Sequence, residues 1–532
     1  MMQLESKWEN LTKSDALFQH LCAEVFPKYF YQCRWFGGKS GNILSVGIDD
    51  LVLLSDEYRH YYLLVIEVFF AESFAHHYFL PLAITSDAEQ LPEPAKVMPI
   101  SIEGKNFWLI DAVYHQGFHE CLYKNLSGKP NAFLEGTIEF RSTVDLQQDV
   151  PFESKLLNAE QSNSTIVILD QYFLKVFRRL FRDKNPDFEI NEYLSKQDIF
   201  TNYPTLAGLI SWKLKSGFEI SLGLMQQKVE NQGDAWNWML NQISDVFHKK
   251  TQHLEKSAPA MLQPLNIADL PRHLQQRPGI DFFESIQTLA QRTAEMHIAL
   301  AKERKDRSFV PIAYNSDFTV WLKNRLIYQF ESRYNLLHKV FDSLPPDAQV
   351  MAREIEEQKD FIINFILGFD EEILMSSRIR IHGDYHLGQI LIQDEDFYIL
   401  DFEGEPESTI RDRKVKQSPL KDVAGLFRSF HYAIYATHFA KGNQMPDELT
   451  IAHSKELYRC MVGVFMRTYS ELAFDQNLDI GYRKEINYLL QYFLLEKAIY
   501  ELGYELNGRP DWAIIPLKGI LEIIQEIKSY EQ

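Results

Sequence analysis

The chain carries two kinds of hydrophobic patterning. From about residue 42 to 115, apolar residues crowd into short β-branched and aromatic runs: Ile43–Leu54, Tyr61–Phe70, His77–Ile84 and Phe107–Tyr114. Such runs suit a pleated, largely covered sheet, and residues 115–145 read as its continuation, with Gly136–Arg141 as a further strand. Before them, Trp8, Leu11, Leu17, Leu21, Val25 and Phe26 recur at roughly helical spacing, which predicts a helix over residues 1–35. After residue 280 the spacing becomes helical again. Phe283, Ile286, Leu289, Ala290, Met296 and Leu300 mark one long helix, and two more are expected around 316–342 and 346–368. His297 rides on the first of these, where a histidine is more often structural than catalytic. Residues 251–280 hold Pro259, Pro264, Pro271 and Pro278 and read as a surface excursion. The sum is an α+β chain in three stretches: a β-rich cap with its linking region over 1–145, a small mixed lobe over 146–232, and a mainly helical lobe over 233–532.

The densest chemistry lies in Ile381–Glu405, IHGDYHLGQILIQDEDFYILDFEGE. It combines H-G-D-x4-Q, a β-like run over Asp396–Leu400, and the turn Asp401-Phe402-Glu403-Gly404. Phosphoryl transfer to an alcohol needs a group that orients the hydroxyl and accepts its proton, and oxygen ligands that hold Mg²⁺ against the nucleotide phosphates. Asp384 supplies the first. Gln389, five residues on, and Asp401, beyond the strand, supply the second. Gln389 stands where most kinases have Asn, so the amide oxygen is kept and moved out by one methylene. A lone Asp in a turn is usually a turn-former, but the combined pattern favours catalysis.

The small lobe adds nucleotide-side candidates. Gln161–Thr165 is a polar turn with no glycine, whose Ser164 and Thr165 have the hydroxyls to meet phosphate oxygens. Lys175 lies inside the strand Tyr172–Val176, where a kinase needs a lysine for the α- and β-phosphates. Its orienting acid is expected on the next helix, which Asn185-Pro186-Asp187 opens with an N-cap and a proline at N1. Glu189 is the first choice and Glu192 the reserve. Leu222–Val229 reads as the hinge strand, with the backbone of Gln227 and Val229 facing adenine. Asp234 reads as the N-cap of the following helix.

Composition narrows the class. The net charge is −19 over 532 residues, which argues against a nucleic-acid partner. Cys22, Cys33, Cys121 and Cys460 are far apart, as expected of reduced cytosolic thiols, and give no metal site. No signal peptide and no membrane span are expected. Lys497, Tyr500, Glu501, Tyr504 and Glu505 recur at i+3/i+4, with Arg509 beyond. Aromatic faces and forked charges of this kind suit a sugar, although a solvated, salt-bridged helix has the same composition.

The stretches HGDYHLGQIL, LDFEGEP and SPLKDVAGLFRSF, together with RWFGGK at 34–39, NPDFEI at 185–190 and KAIYELGYELNGRPDW at 497–512, resemble the maltokinases. That family belongs to the aminoglycoside-phosphotransferase-like branch of the protein-kinase fold. The resemblance implies a bilobal kinase-like fold with a β-rich N-terminal cap, ATP and Mg²⁺ as cofactors, and a cytoplasmic enzyme that forms maltose 1-phosphate for α-glucan and glycogen synthesis. It implies Asp384 as the base, His382 as the orienter of its loop, Gln389 and Asp401 on the metal, and Lys175 with Glu189 on the phosphates. His386, Glu403, Lys497, Tyr500, Glu501, Tyr504, Glu505 and Arg509 are then substrate contacts. Association with a trehalose synthase is allowed. Three alternatives stay open: a kinase of another sugar or amino sugar, such as glucosamine, an inactive pseudokinase acting as a binding module, and a purely carbohydrate-binding module, which the ATP-site residues disfavour. Asp422 is expected to be buried and bonded to the catalytic loop.

Overall fold

The run Tyr61–Phe70 is apolar on both faces, and both faces are covered. Tyr61, Leu63 and Val65 enter one core with Phe118, Ile166 and Leu174. Tyr62, Leu64, Ile66, Val68 and Phe70 enter a second with Leu17, Phe18, Phe26, Phe30 and Trp35. A near-continuous hydrophobic strand is the signature of a sheet buried on both sides. The computed structural model describes all residues except 1, 5, 57, 73, 129–132, 135–137, 148–149, 158–162, 198, 249–259, 277–278, 407, 440–446 and 532. It divides into two units, Met1–Lys196 with Pro204–Val229, and Gln197–Tyr203 with Glu230–Gln532.

Among its described residues the first unit holds two sheets. The cap sheet runs in the order Met2–Leu4, Lys96–Ile102, Lys105–Asp111, Ala75–Thr85, His60–Phe70, Ile43–Ser55, Phe133–Leu134. The four expected strands are all there, and Lys96–Ile102 is an addition. The second sheet comprises β1 (Ile138–Ser142), β2 (Ser154–Leu156), β3 (Asn163–Ile168), β4 (Tyr172–Phe177), β5 (Leu206–Lys213) and β6 (Glu219–Gln227), ordered β1-β5-β6-β4-β3-β2. Helix α1 (Pro186–Leu194) begins at an Asn185 cap whose side chain accepts from the Asp187 N–H at 2.8 Å, as Asn-Pro-Asp predicts.

Three expectations change here. Residues 1–35 are not one helix. A strand at Met2–Leu4 comes first, and the helical part runs from Ala16 to Gln32 with a π-helical turn at Leu21–Val25. Pro27 sits in the first turn of the segment that follows, where a missing N–H is tolerated. Gln116–Leu126 is a helix, not more strand, with Phe118, Cys121, Leu122 and Leu126 buried at helical spacing. The stretch that begins at Gly136 pairs from Ile138 onward with β5 of the second sheet, so it belongs to the small lobe. Gly136 itself lies outside the described residues. A single core joins both sheets, and the cap and small lobe are therefore one unit. Trp35 and Phe36 of RWFGGK are buried in the cap core, and a Cβ at Gly38 would come within 2.4 Å of the Phe70 ring. The motif is packing.

The second unit is mainly helical. Its principal helices are α2 (Gly279–Ala301), α3 (Leu420–Phe439), α4 (Glu448–Asp475) and α5 (Arg483–Gly508). The expected 316–342 helix is Ser316–Val340. The 346–368 pattern is broken at Gln358 into Pro346–Glu357 and Lys359–Leu367. The excursion before α2 is described from residue 260, so Pro259 and Pro278 lie outside the described residues. Among the described residues no helix is long and apolar enough to cross a membrane, and the four thiols are free.

Candidate functional site

Two glycines set the shape of the catalytic stretch. Gly383 (φ +85°) and Gly404 (φ +73°) hold left-handed backbone that favours glycine. A Cβ on Gly383 would sit 3.2 Å from the Gly404 Cα. The H-G-D loop and the D-F-E-G turn thus meet backbone to backbone. Between them, strands β7 (Ile390–Gln393) and β8 (Asp396–Ile399) form a hairpin. Its turn residues Asp394 and Glu395 both have positive φ, the geometry of a tight hairpin turn. Asp401, at the end of the hairpin, also sits at φ +61°. A non-glycine there costs about 1 kcal/mol or more, and such residues cluster at functional sites.

Buried Asp422, on α3, holds the loop from behind. Its carboxylate accepts from the backbone N–H of His382 at 2.7 Å and of Gly383 at 2.9 Å. His297 Nε2 reaches it at 3.1 Å, and His297 Nδ1 meets the Tyr469 hydroxyl at 2.9 Å. Burial works against the Asp422 charge, but these bonds and neighbouring His297 and His382 hold the carboxyl below its ordinary range. The structural reading of His297 is thus the one its contacts give. His382 donates from Nε2 to the Leu400 carbonyl at 2.7 Å and accepts from the Asp384 N–H on Nδ1 at 3.3 Å. The ring ties the strand before Asp401 to the residue that carries the candidate base.

Asp384 is met by Lys497 of α5, whose Nζ donates to Oδ1 at 2.9 Å. His386 Nε2 stands 3.8 Å from the other oxygen, Oδ2. Burial would raise the Asp384 pKa, yet Lys497 and His386 outweigh it and keep the carboxyl below the usual range. Burial lowers the His386 pKa, with Asp384 opposing. Gln389 donates from Nε2 to Asp401 Oδ2 at 3.1 Å. An amide and a carboxylate thus stand together as hard oxygen donors, a set that suits Mg²⁺.

The cleft beside Asp384 and Lys497 contains groups that the sequence reading passed over. Glu405, Lys421 and Glu496 line it. Arg325 holds Glu405 at 2.9 Å and lies 3.7 Å from Glu496, which Lys421 holds at 3.0 Å. Burial opposes the Glu496 charge, but Lys421 and Arg325 keep its carboxyl low. Glu405 closes the very D-F-E-G-E run that drew attention, and Glu496 precedes Lys497. Both were legible as neighbours of motif residues. Arg325 carried no local signal.

The rest of the expected sugar helix is mostly committed elsewhere. Glu501 accepts from Arg428 at 2.6 Å, and Glu505, 2% exposed, is held by Arg509 at 2.7 Å and by the Tyr432 hydroxyl at 2.7 Å. Glu501 and Glu505 are thus held by side chains of the same unit, and Arg509, half exposed, pairs with Glu505; these are the residues expected to meet substrate. Tyr500 lies under the Lys497 ammonium, 4.8 Å from Nζ to the ring centroid, and Tyr504 is 59% exposed. Glu403 lies 3.9 Å from Arg413.

In the first unit Lys175 sits on β4, and its Nζ is 2.9 Å from Asp187 Oδ2. The expected partner was Glu189, with Glu192 in reserve. The carboxylate found at ion-pair distance is instead that of Asp187, in the first turn of α1. Glu192 gathers Arg141, Lys184 and Lys196. Ser164 and Thr165 are not in a turn: β3 begins at Asn163 and both are buried in it. Ser164 Oγ accepts from Arg178 at 2.9 Å. Gln161 and Ser162 lie outside the described residues. The Gln227 N–H donates to the Thr205 carbonyl at 2.8 Å, so its N–H is already used within the unit, and Val229 follows the end of β6. In the second unit Asp234 caps its helix, accepting from the Asn237 N–H at 2.7 Å.

No protein-family model matches the chain. It is similar to the glucosamine kinase of Streptacidiphilus jiangxiensis, 24% identical over 148 residues, or 28% of this chain and 32% of that protein. It is also similar to the glucosamine kinase of Mycolicibacterium smegmatis, 19% identical over 372 residues, 70% of this chain and 79% of that protein. The chain therefore matches about a third of the length of the first relative and most of the second. Among solved structures it resembles a glucosamine kinase in complex with glucosamine, ADP and inorganic phosphate, with a TM-score of 0.63, 16% identity, and coverage of 98% of this chain and 99% of that one. A second crystal form of a glucosamine kinase gives 0.61 at 16% identity. The fold is kinase-like. Its α+β architecture, with a β-rich cap before a small sheet lobe and a helical lobe, is the one expected. The relatives are named for an amino-sugar acceptor, where the motif resemblance implied maltose.

Proposed function

We propose that the chain is an ATP-dependent sugar kinase that phosphorylates the anomeric hydroxyl of maltose, giving maltose 1-phosphate and ADP. The observation that carries this reading is the position of Lys497. It grips the candidate base Asp384 from a helix whose next two turns present Tyr500 and the exposed Tyr504. Seven helical residues span about 10 Å, a length that fits two linked pyranose rings better than one.

Asp384 orients the acceptor hydroxyl and takes its proton as that oxygen attacks the γ-phosphorus and the bond to ADP breaks. A carboxylate held low is a weak base, which suffices when the transition state is loose and proton transfer is late. Lys497 fixes its rotamer, and Asp422 and His382 fix its loop. Lys175, oriented by Asp187, serves the phosphates. Gln389 and Asp401 would hold Mg²⁺, which supplies charge neutralisation at the phosphates. Glu405 and Glu496, held by Arg325 and Lys421, offer acceptors to the sugar hydroxyls. The product suits consumption in α-glucan synthesis in the cytoplasm, and the maltokinase resemblance extends the proposal to a trehalose synthase partner.

A second reading is an amino-sugar kinase acting on glucosamine. The names of the relatives favour it, and so do the carboxylates at the cleft, which would receive an ammonium group. ADP release with Mg·ATP against maltose, trehalose, glucose and glucosamine decides. Turnover with maltose supports the first reading and turnover with glucosamine alone supports the second. Nucleotide binding with no turnover on any sugar would leave a pseudokinase.

A further inference from the structure

Outside the catalytic stretch, one helix and one irregular segment bring two imidazoles and a carboxylate together. His453 and Glu456 stand one turn apart on α4, and His273 lies in the segment 260–276 that precedes α2. Glu456 Oε2 is 3.3 Å from His273 Nε2 and 3.7 Å from His453 Nδ1. The three donor atoms all lie within 4.8 Å of one another. A tetrahedral zinc site with ligands at about 2.1 Å has donor atoms about 3.4 Å apart. Glu456 is 2% exposed and His453 4%, whereas the His273 side chain keeps 13% of its surface open to solvent. That edge gives an ion a way in.

We infer that His273, His453 and Glu456 form a binding site for one zinc-class divalent ion. Two imidazole nitrogens and one carboxylate oxygen select zinc over magnesium, so the site is chemically distinct from the Gln389–Asp401 pair. Three protein donors leave a fourth position for water. Its structural role follows from where the ligands sit. The segment crosses α4 at Gly463, whose carbonyl accepts from the Leu265 N–H at 2.9 Å, and a Cβ there would meet the Gln263 carbonyl at 2.8 Å. The segment buries Met261, Leu262, Leu270 and Leu274 yet has little regular secondary structure, only a single 3₁₀ turn at Ile267–Asp269 among its described residues. An ion shared by His273 and α4 clips it in place a second time, and closing a loop in this way stabilises the folded chain.

The test uses the full chain, stripped with a chelator and titrated with Co²⁺ in the absence of nucleotide. Visible absorption reports geometry, and bound metal after dialysis reports stoichiometry. The expected result is a single Co²⁺ with the intense bands of a tetrahedral site, displaced by Zn²⁺. Zn²⁺ also raises the melting temperature. His273→Ala, at the exposed edge and checked for fold by circular dichroism, loses at least about tenfold in affinity, as does the near-isosteric Glu456→Gln. Asp401→Ala binds as wild type does. Absence of the tetrahedral signal, or an undiminished signal in folded His273→Ala, overturns the inference.

Discussion

Lys497 and Asp384, 113 residues apart in sequence, share a 2.9 Å ion pair at the centre of the candidate site. The pair carries a pH prediction. In the intact protein Asp384 lies below its ordinary carboxylate range because Lys497 and His386 outweigh burial, so the acid limb of kcat/KM attributable to Asp384 lies on the acid side of an ordinary carboxylate. Without the ammonium, burial acts with less opposition and the pKa rises. Lys497→Met is expected to lower kcat about 10²-fold and to move the acid limb to higher pH. An unmoved limb in a folded variant would remove Lys497 from any role at the base.

Asp422→Asn places an amide where the carboxylate accepts from His382 N–H, Gly383 N–H and His297. Either the amide nitrogen faces a donor or an N–H loses its acceptor. The expected cost is roughly 2–4 kcal/mol of stability, with kcat falling more than KM rises because the loop, not the cleft, loses its support. Urea denaturation and steady-state kinetics measure both. Loss of stability with unchanged kcat would mean that the loop holds its shape without this carboxylate.

Gly425 of α3 packs against the catalytic loop, where a Cβ would stand 2.8 Å from the Tyr385 carbonyl oxygen. Alanine is otherwise the better helix former, by about 1 kcal/mol. Gly425→Ala should nonetheless destabilise by roughly 1–3 kcal/mol and displace the residue next to Asp384. Its melting temperature and kcat are both expected to fall, and a more stable, fully active variant would contradict the packing.

Glu192 tests the electrostatics of the first unit. Burial opposes its charge, but Arg141, Lys184 and Lys196 pull its pKa down to about 2, against about 4.3 unfolded. A depressed folded pKa means that the stabilisation is fully present above about pH 5 and is lost as pH falls toward 2. Glu192→Gln should therefore cost roughly 1–2 kcal/mol at pH 7, after allowance for solvent screening of its partly exposed partners, and only about a quarter of that near pH 2.5. Equal costs at the two pH values would show that the pairs contribute no charge interaction.

What was legible in the sequence follows physical range. Strands such as Tyr61–Phe70 and the H-G-D-x4-Q stretch are written in local pattern, and so is the capped start of α1. The Lys175 partner was missed because a helix start and an i, i+3 acid pair fix which residues share a face, not which carboxylate reaches β4. Asp187, in the first turn, does so. The sugar helix was read from composition, which cannot distinguish a charge aimed at a ligand from one satisfied by Arg428 or Tyr432. Ser164 and Thr165 failed on a strand boundary, a shift of three residues that turned exposed hydroxyls into buried ones.

In the proposed reaction, phosphoryl transfer from ATP to a sugar hydroxyl depends on Asp384. The most direct measurement is ³¹P NMR of the products formed from Mg·ATP and maltose by the wild-type chain and by Asp384→Asn, with folding checked in both. A phosphate ester at the anomeric carbon is expected with wild type, and a loss of several orders of magnitude in its rate of formation with the variant. Ester formed at similar rates by both proteins would contradict this dependence.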